Sequence, residues 1–171
     1  MMSRLSADRS DRDETVKAHD CAVRALARRD HSIAELERKL RERKISGTAA
    51  AAVIARLVQS GYLDDRRFAE RWAEAAVRNG RGYGVRLRQD LARRGVGREI
   101  IEEVLAGISA IHPEDDTLTA LAERRFAGFV PGAASDREKR RVIAYLQRRG
   151  FSLAAILRYF RNADDNGNFY D

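Results

Sequence analysis

Three pairs of adjacent aspartates punctuate the chain: Asp64-Asp65, Asp115-Asp116 and Asp164-Asp165. Paired carboxylates can share a proton or hold a metal ion. Neighbouring positions on a helix point about 100° apart, however, so such pairs do not converge on one point. Asp64 or Asp65 is better placed to cap a helix, Asp115-Asp116 to open one, and Asp164-Asp165 to lie in a polar tail. His19, His31 and His112 are scattered, with no HExxH pair and no nucleophile turn. Cys21 is the only cysteine, which excludes an internal disulfide and a cysteine cluster for zinc. Beside Ala22 and Ala25 it reads as a small buried thiol. Gly80-Arg81-Gly82-Tyr83-Gly84 could cradle a phosphate, but it follows a helix rather than a strand and lacks the Lys-Ser/Thr of a P-loop. A helix–helix connector is the better reading. The residues thus point to a non-enzymatic protein with no catalytic residues, no metal and no cofactor.

The elements that position these residues are helices. The run Gly61-Tyr62-Leu63-Asp64-Asp65 is a hinge between two of them. Gly61 can take the left-handed conformation that ends a helix. Tyr62 and Leu63 are placed to fold back over that end, and an aspartate caps the next helix. Phe68 and Trp72 follow one turn apart on its inner face. If Trp72 is buried, its replacement by alanine costs about 3–5 kcal/mol.

Residues 1–13 read as a charged, disordered lead-in without a sustained apolar period. A helical stripe of Val16, Ala22, Val23 and Leu26 runs from Thr15 to about Arg29. Ser32-Ile33-Ala34-Glu35 is a capping box that opens a second helix carrying Leu36 and Leu40. A third spans about Thr48 to Ser60, a fourth Asp65 to Asn79. A fifth carries Leu87 and Leu91 and stops at Gly95. A sixth covers Arg98 to Ala106, and Pro113 suits the start of a seventh. Gly128 to Gly132 is a loop, the eighth helix begins near Ser135 or Asp136, and a ninth runs from Ser152 to about Arg161. Residues 162–171 form a flexible polar tail. No segment alternates like a strand, so the fold class is all-α.

Lys and Arg total 33 against 26 Asp and Glu, for a net charge of +7. A basic balance favours acidic partners, nucleic acid or an acidic protein face. No apolar run approaches the roughly 20 residues of a membrane span. The polar N-terminus lacks the apolar core of a secretory signal, so a cytoplasmic location is expected.

An internal repeat organises the helices. Leu40-Arg41-Glu42-Arg43-Lys44-Ile45-Ser46 matches Leu91-Ala92-Arg93-Arg94-Gly95-Val96-Gly97, and both match Leu146-Gln147-Arg148-Arg149-Gly150-Phe151-Ser152. Leu36, Leu87 and Val142 stand one turn earlier. The spacing is 51 and then 55 residues. This predicts three tandem three-helix repeats over 14–63, 64–110 and 111–161, stacked as an elongated, curved, solenoid-like row.

Basic residues concentrate on the middle helix of each repeat. Lys39, Arg43, Arg86, Arg93, Arg94, Arg140, Arg148 and Arg149 are candidates for a row that meets a periodic polymer of protein or nucleic acid. The competing reading is ordinary solvated helix faces, with arginines near helix C-termini favoured by the dipole. A helix-turn-helix role fits poorly, because the third helices offer only Arg56 in the first repeat and Glu99, Glu102 and Glu103 in the second. On this reading Arg93→Glu with Arg94→Glu leaves folding intact and weakens binding.

Several of these stretches resemble RecX, the regulatory proteins of the RecA recombinase. They are Ala25-Leu26-Ala27-Arg28-Arg29, His31 through Leu40, Val53 through Leu57, Gly61-Tyr62-Leu63-Asp64-Asp65-Arg66-Arg67-Phe68-Ala69, and Leu91 through Val96. The resemblance covers about residues 17–161 and is strongest in the first two repeats. Lys44 stands where the family often has glycine. The resemblance implies a monomeric inhibitor that lies along the groove of RecA filaments. It implies suppression of ATP hydrolysis, strand exchange and LexA co-cleavage, and some binding of single- and double-stranded DNA. The alternative is a basic helical module acting on nucleic acid alone.

Overall fold

The computed structural model describes residues 2–167, with side chains described over 12–162. Nine α-helices are found among them: α1 (Met2–Leu26), α2 (Ile33–Glu42), α3 (Gly47–Gln59), α4 (Asp65–Arg78), α5 (Gly84–Arg93), α6 (Arg98–Ile111), α7 (Glu114–Arg125), α8 (Asp136–Arg148) and α9 (Leu153–Gly167). A single 3₁₀ turn, Pro131–Ala133, lies in the loop before α8. No strand occurs among the described residues.

Two helices run beyond their expected bounds. The backbone of α1 is helical from Met2, through the stretch read as a lead-in. In α6, Gly107 is passed over and the helix continues to Ile111. Ile108 is buried and extends the face of Ile101 and Val104 by one more turn, so packing outweighs the weak helix propensity of a single glycine. The expected tail is helical as far as Gly167, and residues 168–171 lie outside the described residues.

Contacts gather into two compact units, Met1–Ala69 with Leu91–Ile100, and Glu70–Asp90 with Ile101–Asp171. In the first, α1 lies on α2 and α3. Its core is Ala18, Ala22 and Ala25 from α1, Leu36 and Leu40 from α2, Ala49, Ala50, Val53 and Leu57 from α3, and Leu63. The alanines let the α1 and α3 backbones approach closely, while Leu36 and Leu40 fill the space beneath them. In the second unit Leu87, Val104, Leu118, Val142, Leu146 and Ile156 are buried.

The repeat is visible in the hydrogen bonds. Ile45 N–H donates to the Leu40 carbonyl (3.2 Å), Val96 to Leu91 (3.2 Å) and Phe151 to Leu146 (3.3 Å). Each closes a Schellman turn whose preceding residue has positive φ: Lys44 (60°), Gly95 (80°) and Gly150 (93°). Lys44 is the one non-glycine residue with positive φ among those described. A Cβ on Gly95 would sit 2.3 Å from the Ala34 Cβ, and one on Gly150 would sit 2.2 Å from the Tyr83 carbonyl oxygen. Glycine at these two sites therefore serves both the turn and a close approach.

Two of the three third helices, α3 and α9, are capped by a shared device. Glu14 accepts from the Ser46 N–H (2.8 Å) and hydroxyl (2.7 Å) ahead of α3. Glu114 accepts from the Ser152 N–H (2.6 Å) and hydroxyl (3.0 Å) ahead of α9. Ahead of α6 the corresponding residue is Gly97, which has no hydroxyl to offer.

Candidate partner-binding surface

The hinge acids divide their work. Asp64 Oδ1 accepts from the Arg67 N–H (3.0 Å) and caps α4. Asp65 reaches instead to the start of α2, where its Oδ1 accepts from the Ile33 N–H (2.8 Å). Burial raises the Asp65 pKa, and the bond from Ile33 opposes that rise. Gly61 has φ 71° and Leu63 is buried, with its N–H on the Leu57 carbonyl (3.1 Å). Tyr62 departs from expectation: it is 73% exposed and does not cover the helix end. Phe68 is buried, whereas Trp72 is only half-buried.

At the start of α2 the Ser32 hydroxyl accepts from the Glu35 N–H (3.1 Å) and donates to the Arg94 carbonyl. The reciprocal half of the expected capping box is replaced. The Glu35 carboxylate accepts from Arg29 Nη1 (2.7 Å) and from Arg94 Nη1. Burial would raise the Glu35 pKa, but the two guanidiniums outweigh it and hold the carboxyl below its ordinary value. Beside it, His31 is buried. Its Nδ1 donates to the Arg29 carbonyl (2.9 Å), and burial lowers its pKa. A complete capping box forms at Ser135 and Glu138, ahead of α8.

The second unit repeats this docking with different chemistry. The Tyr83 N–H, at the start of α5, donates to the Arg149 carbonyl (2.8 Å). Arg149 Nη1 donates to the Arg81 carbonyl (3.2 Å), and its guanidinium lies 5.0 Å from the Tyr145 ring centre. Tyr83 and Phe151 stack with ring centres 5.2 Å apart. The glycine cluster at 80–84 is therefore a connector that receives the end of α8, as its context predicted, and its Tyr83 N–H is engaged by protein.

The basic residues separate accordingly. Arg94 and Arg149 hold the starts of α2 and α5, and Arg86 pairs with Asp90 (3.3 Å). Arg88 grips Glu102 with two bonds of 2.8 Å, and Arg158 grips Asp115 at 2.9 and 2.7 Å. That grip lowers the Asp115 pKa. Arg43, Arg93, Arg140 and Arg148 are exposed and Lys39 is half-buried. The expected row is thus partly structural, and Arg94 cannot be reversed in charge without opposing Glu35.

A groove was missed. Lys17 and Arg24 of α1 and Arg28, in the turn after it, line a cavity of about 850 Å³ together with Lys39 of α2 and with Arg43 and Lys44 just past its end. Positions 17 and 24 stand seven residues apart, which places them on one face of α1. Among the described residues no three His, Cys, Asp or Glu side chains gather as a metal site, and no helix is long and apolar enough to cross a membrane.

Family comparison agrees with the repeat. Residues 18–57 match the first three-helix domain of RecX, 64–105 the second and 113–160 the third. The regulatory protein RecX of Trichlorobacter lovleyi is 43% identical over 144 residues, spanning 82% of this chain and 94% of that protein. Its counterpart in Halorhodospira halophila is 39% identical over 150 residues, 86% of this chain and 88% of that one. The crystal structure of RecX from Lactobacillus salivarius shares the fold with a TM-score of 0.69 at 21% identity, covering 89% of this chain and 97% of that one. Three family domains in tandem, and relatives matched over nearly their full length, place the chain in the RecX family of regulatory proteins.

Proposed function

We propose that this protein is a regulator of the RecA recombinase. It binds RecA–DNA filaments along their groove as a monomer, in the cytoplasm, without a cofactor or a catalytic step. Bound there, it suppresses ATP hydrolysis, strand exchange and LexA co-cleavage, and so modulates homologous recombination and the SOS response. The observation that carries this reading is the RecX match across all three repeats. The exposed Arg43, Arg93, Arg140 and Arg148 are consistent with it, since they recur on the middle helices and face solvent.

The deciding experiment is RecA's DNA-dependent ATPase, titrated with this protein after filaments have formed on saturating single-stranded DNA. Inhibition well below one molecule per RecA subunit supports action on the filament. An unchanged rate on intact filaments overturns it.

The net charge of +7 favours a second reading, a module that binds nucleic acid alone. It predicts binding to bare single strands with a log–log salt slope of about −0.7 per phosphate contacted.

A further inference from the structure

The side-chain cations of the groove between α1 and the end of α2 take part in none of the hydrogen bonds described above. Six cations line it, and none of them forms an ion pair with a described carboxylate. Its remaining lining includes the half-buried Cys21 and Ile45, the buried Ala25, and the acids Asp13, Glu14 and Asp20. Glu14 is engaged by Ser46.

The repeat indicates what the cations await. Arg43 occupies the position of Arg94 and Arg149, between the leucine anchor and the Schellman turn. Arg94 meets a carboxylate, and Arg149 meets a carbonyl and an aromatic ring. Arg43 has no such partner in its own unit. A continuous phosphate backbone would meet Asp13 and Asp20 on the groove wall. A peptide can place its carboxylates between them.

We propose that this groove docks an acidic amphipathic segment of a protein partner, its apolar edge against the half-buried Cys21 and Ile45 and its carboxylates against the six cations. The proposal rests on the reading of the chain as a regulator that acts on protein.

The test is fluorescence anisotropy on the full chain. One probe is a fluorescein-labelled amphipathic helical peptide of Glu, Leu and Ala, about 15 residues long to match roughly 22 Å of α1. The other is labelled oligo-dT of similar length. The variant is Arg24→Glu with Arg43→Glu, checked by thermal melting. The expected result is peptide binding by the wild type, weakened about tenfold or more in the variant, with oligo-dT affinity changed less than about twofold. No peptide binding by the wild type, or equal binding by the variant, overturns the proposal. Parallel loss of oligo-dT binding also overturns it and makes the groove a nucleic-acid site. Should the double reversal fail to fold, Arg24→Gln with Arg43→Gln carries the same expectations at smaller amplitude. Filament ATPase separates the two readings. Inhibition by the wild type that survives intact in the variant overturns the groove alone. No inhibition by the wild type overturns the regulator reading, and peptide anisotropy then still decides the groove.

Discussion

Glu35 on α2 and Arg94, just past the end of α5, stand 59 positions apart in the chain and form a salt bridge. The Glu35 side chain is 4% exposed and the Arg94 side chain 25%, so this pair is shielded from water and salt where most surface pairs are not. Arg94→Ala leaves a buried carboxylate with Arg29 alone and should cost about 1–3 kcal/mol. Arg94→Glu should cost more, because it sets a second carboxylate against the first. Arg148→Glu, at an exposed position, should change stability by no more than about 0.5 kcal/mol. Urea titration of the three variants gives the order directly. Equal midpoints for Arg94→Glu and Arg148→Glu would remove Arg94 from the structural group.

The turn residues predict a graded series. Gly150→Ala should be the most damaging, since its Cβ would press on the backbone at Tyr83. Gly95→Ala follows, pressing on the Ala34 side chain. Gly61→Ala meets open space and should show only the left-handed penalty of about 1–2 kcal/mol. Lys44→Gly should stabilise by roughly 0.5–1 kcal/mol, by relieving the same penalty. Melting temperatures that fail to separate Gly150→Ala from Gly61→Ala would contradict the close approach.

His31 predicts acid sensitivity. Burial lowers its folded pKa below the unfolded value of about 6.5, so the unfolded chain binds its proton first as pH falls. The stabilising contribution is full above about pH 6.5 and is lost as pH drops through the folded pKa. Glu35 follows the same sign lower down. Its depressed carboxyl contributes fully above the ordinary glutamate value and loses that contribution in stronger acid. Denaturation midpoints measured from pH 7.5 to 5 should fall for the wild type and flatten for His31→Gln. Identical slopes would acquit the histidine.

The aromatic pair on α4 should not behave as two equals. Phe68 is buried and Phe68→Ala should cost about 3–5 kcal/mol. Trp72 is half-buried and its truncation should cost less than that full core value. Tyr62→Ser, at 73% exposure, should leave the melting curve in place. A Trp72→Ala loss as large as that of Phe68→Ala would show the indole to be core.

Much of this architecture could be read from the chain. Leu36, Leu40, Leu87, Leu91 and Leu146 sit at helical spacing and are all buried, because period and burial are the same physical fact seen twice. The glycine stops and the start of α8 near Ser135 were legible for a similar reason: their chemistry is local. What escaped was chemistry between repeats. Nothing near Glu35 in sequence shows that its carboxylate serves Arg94 rather than the Ser32 backbone. The split between Asp64 and Asp65 depends on where α2 begins, 32 positions before Asp65. The basic residues were the least legible, since a free guanidinium and a docked one look alike until the opposing surface is present.

Lys44 carries a further meaning. Gly95 and Gly150 are the points where one motif can nestle onto the motif before it, and Lys44 fills the same point with a long cation. A duplication that placed another copy of the motif upstream would meet that side chain at its closest contact. Growth of the array from this end would therefore demand a lysine-to-glycine exchange as well as new sequence. A family of length variants made by tandem duplication should show that exchange at the new junction, and the outermost motif should stay exempt from it.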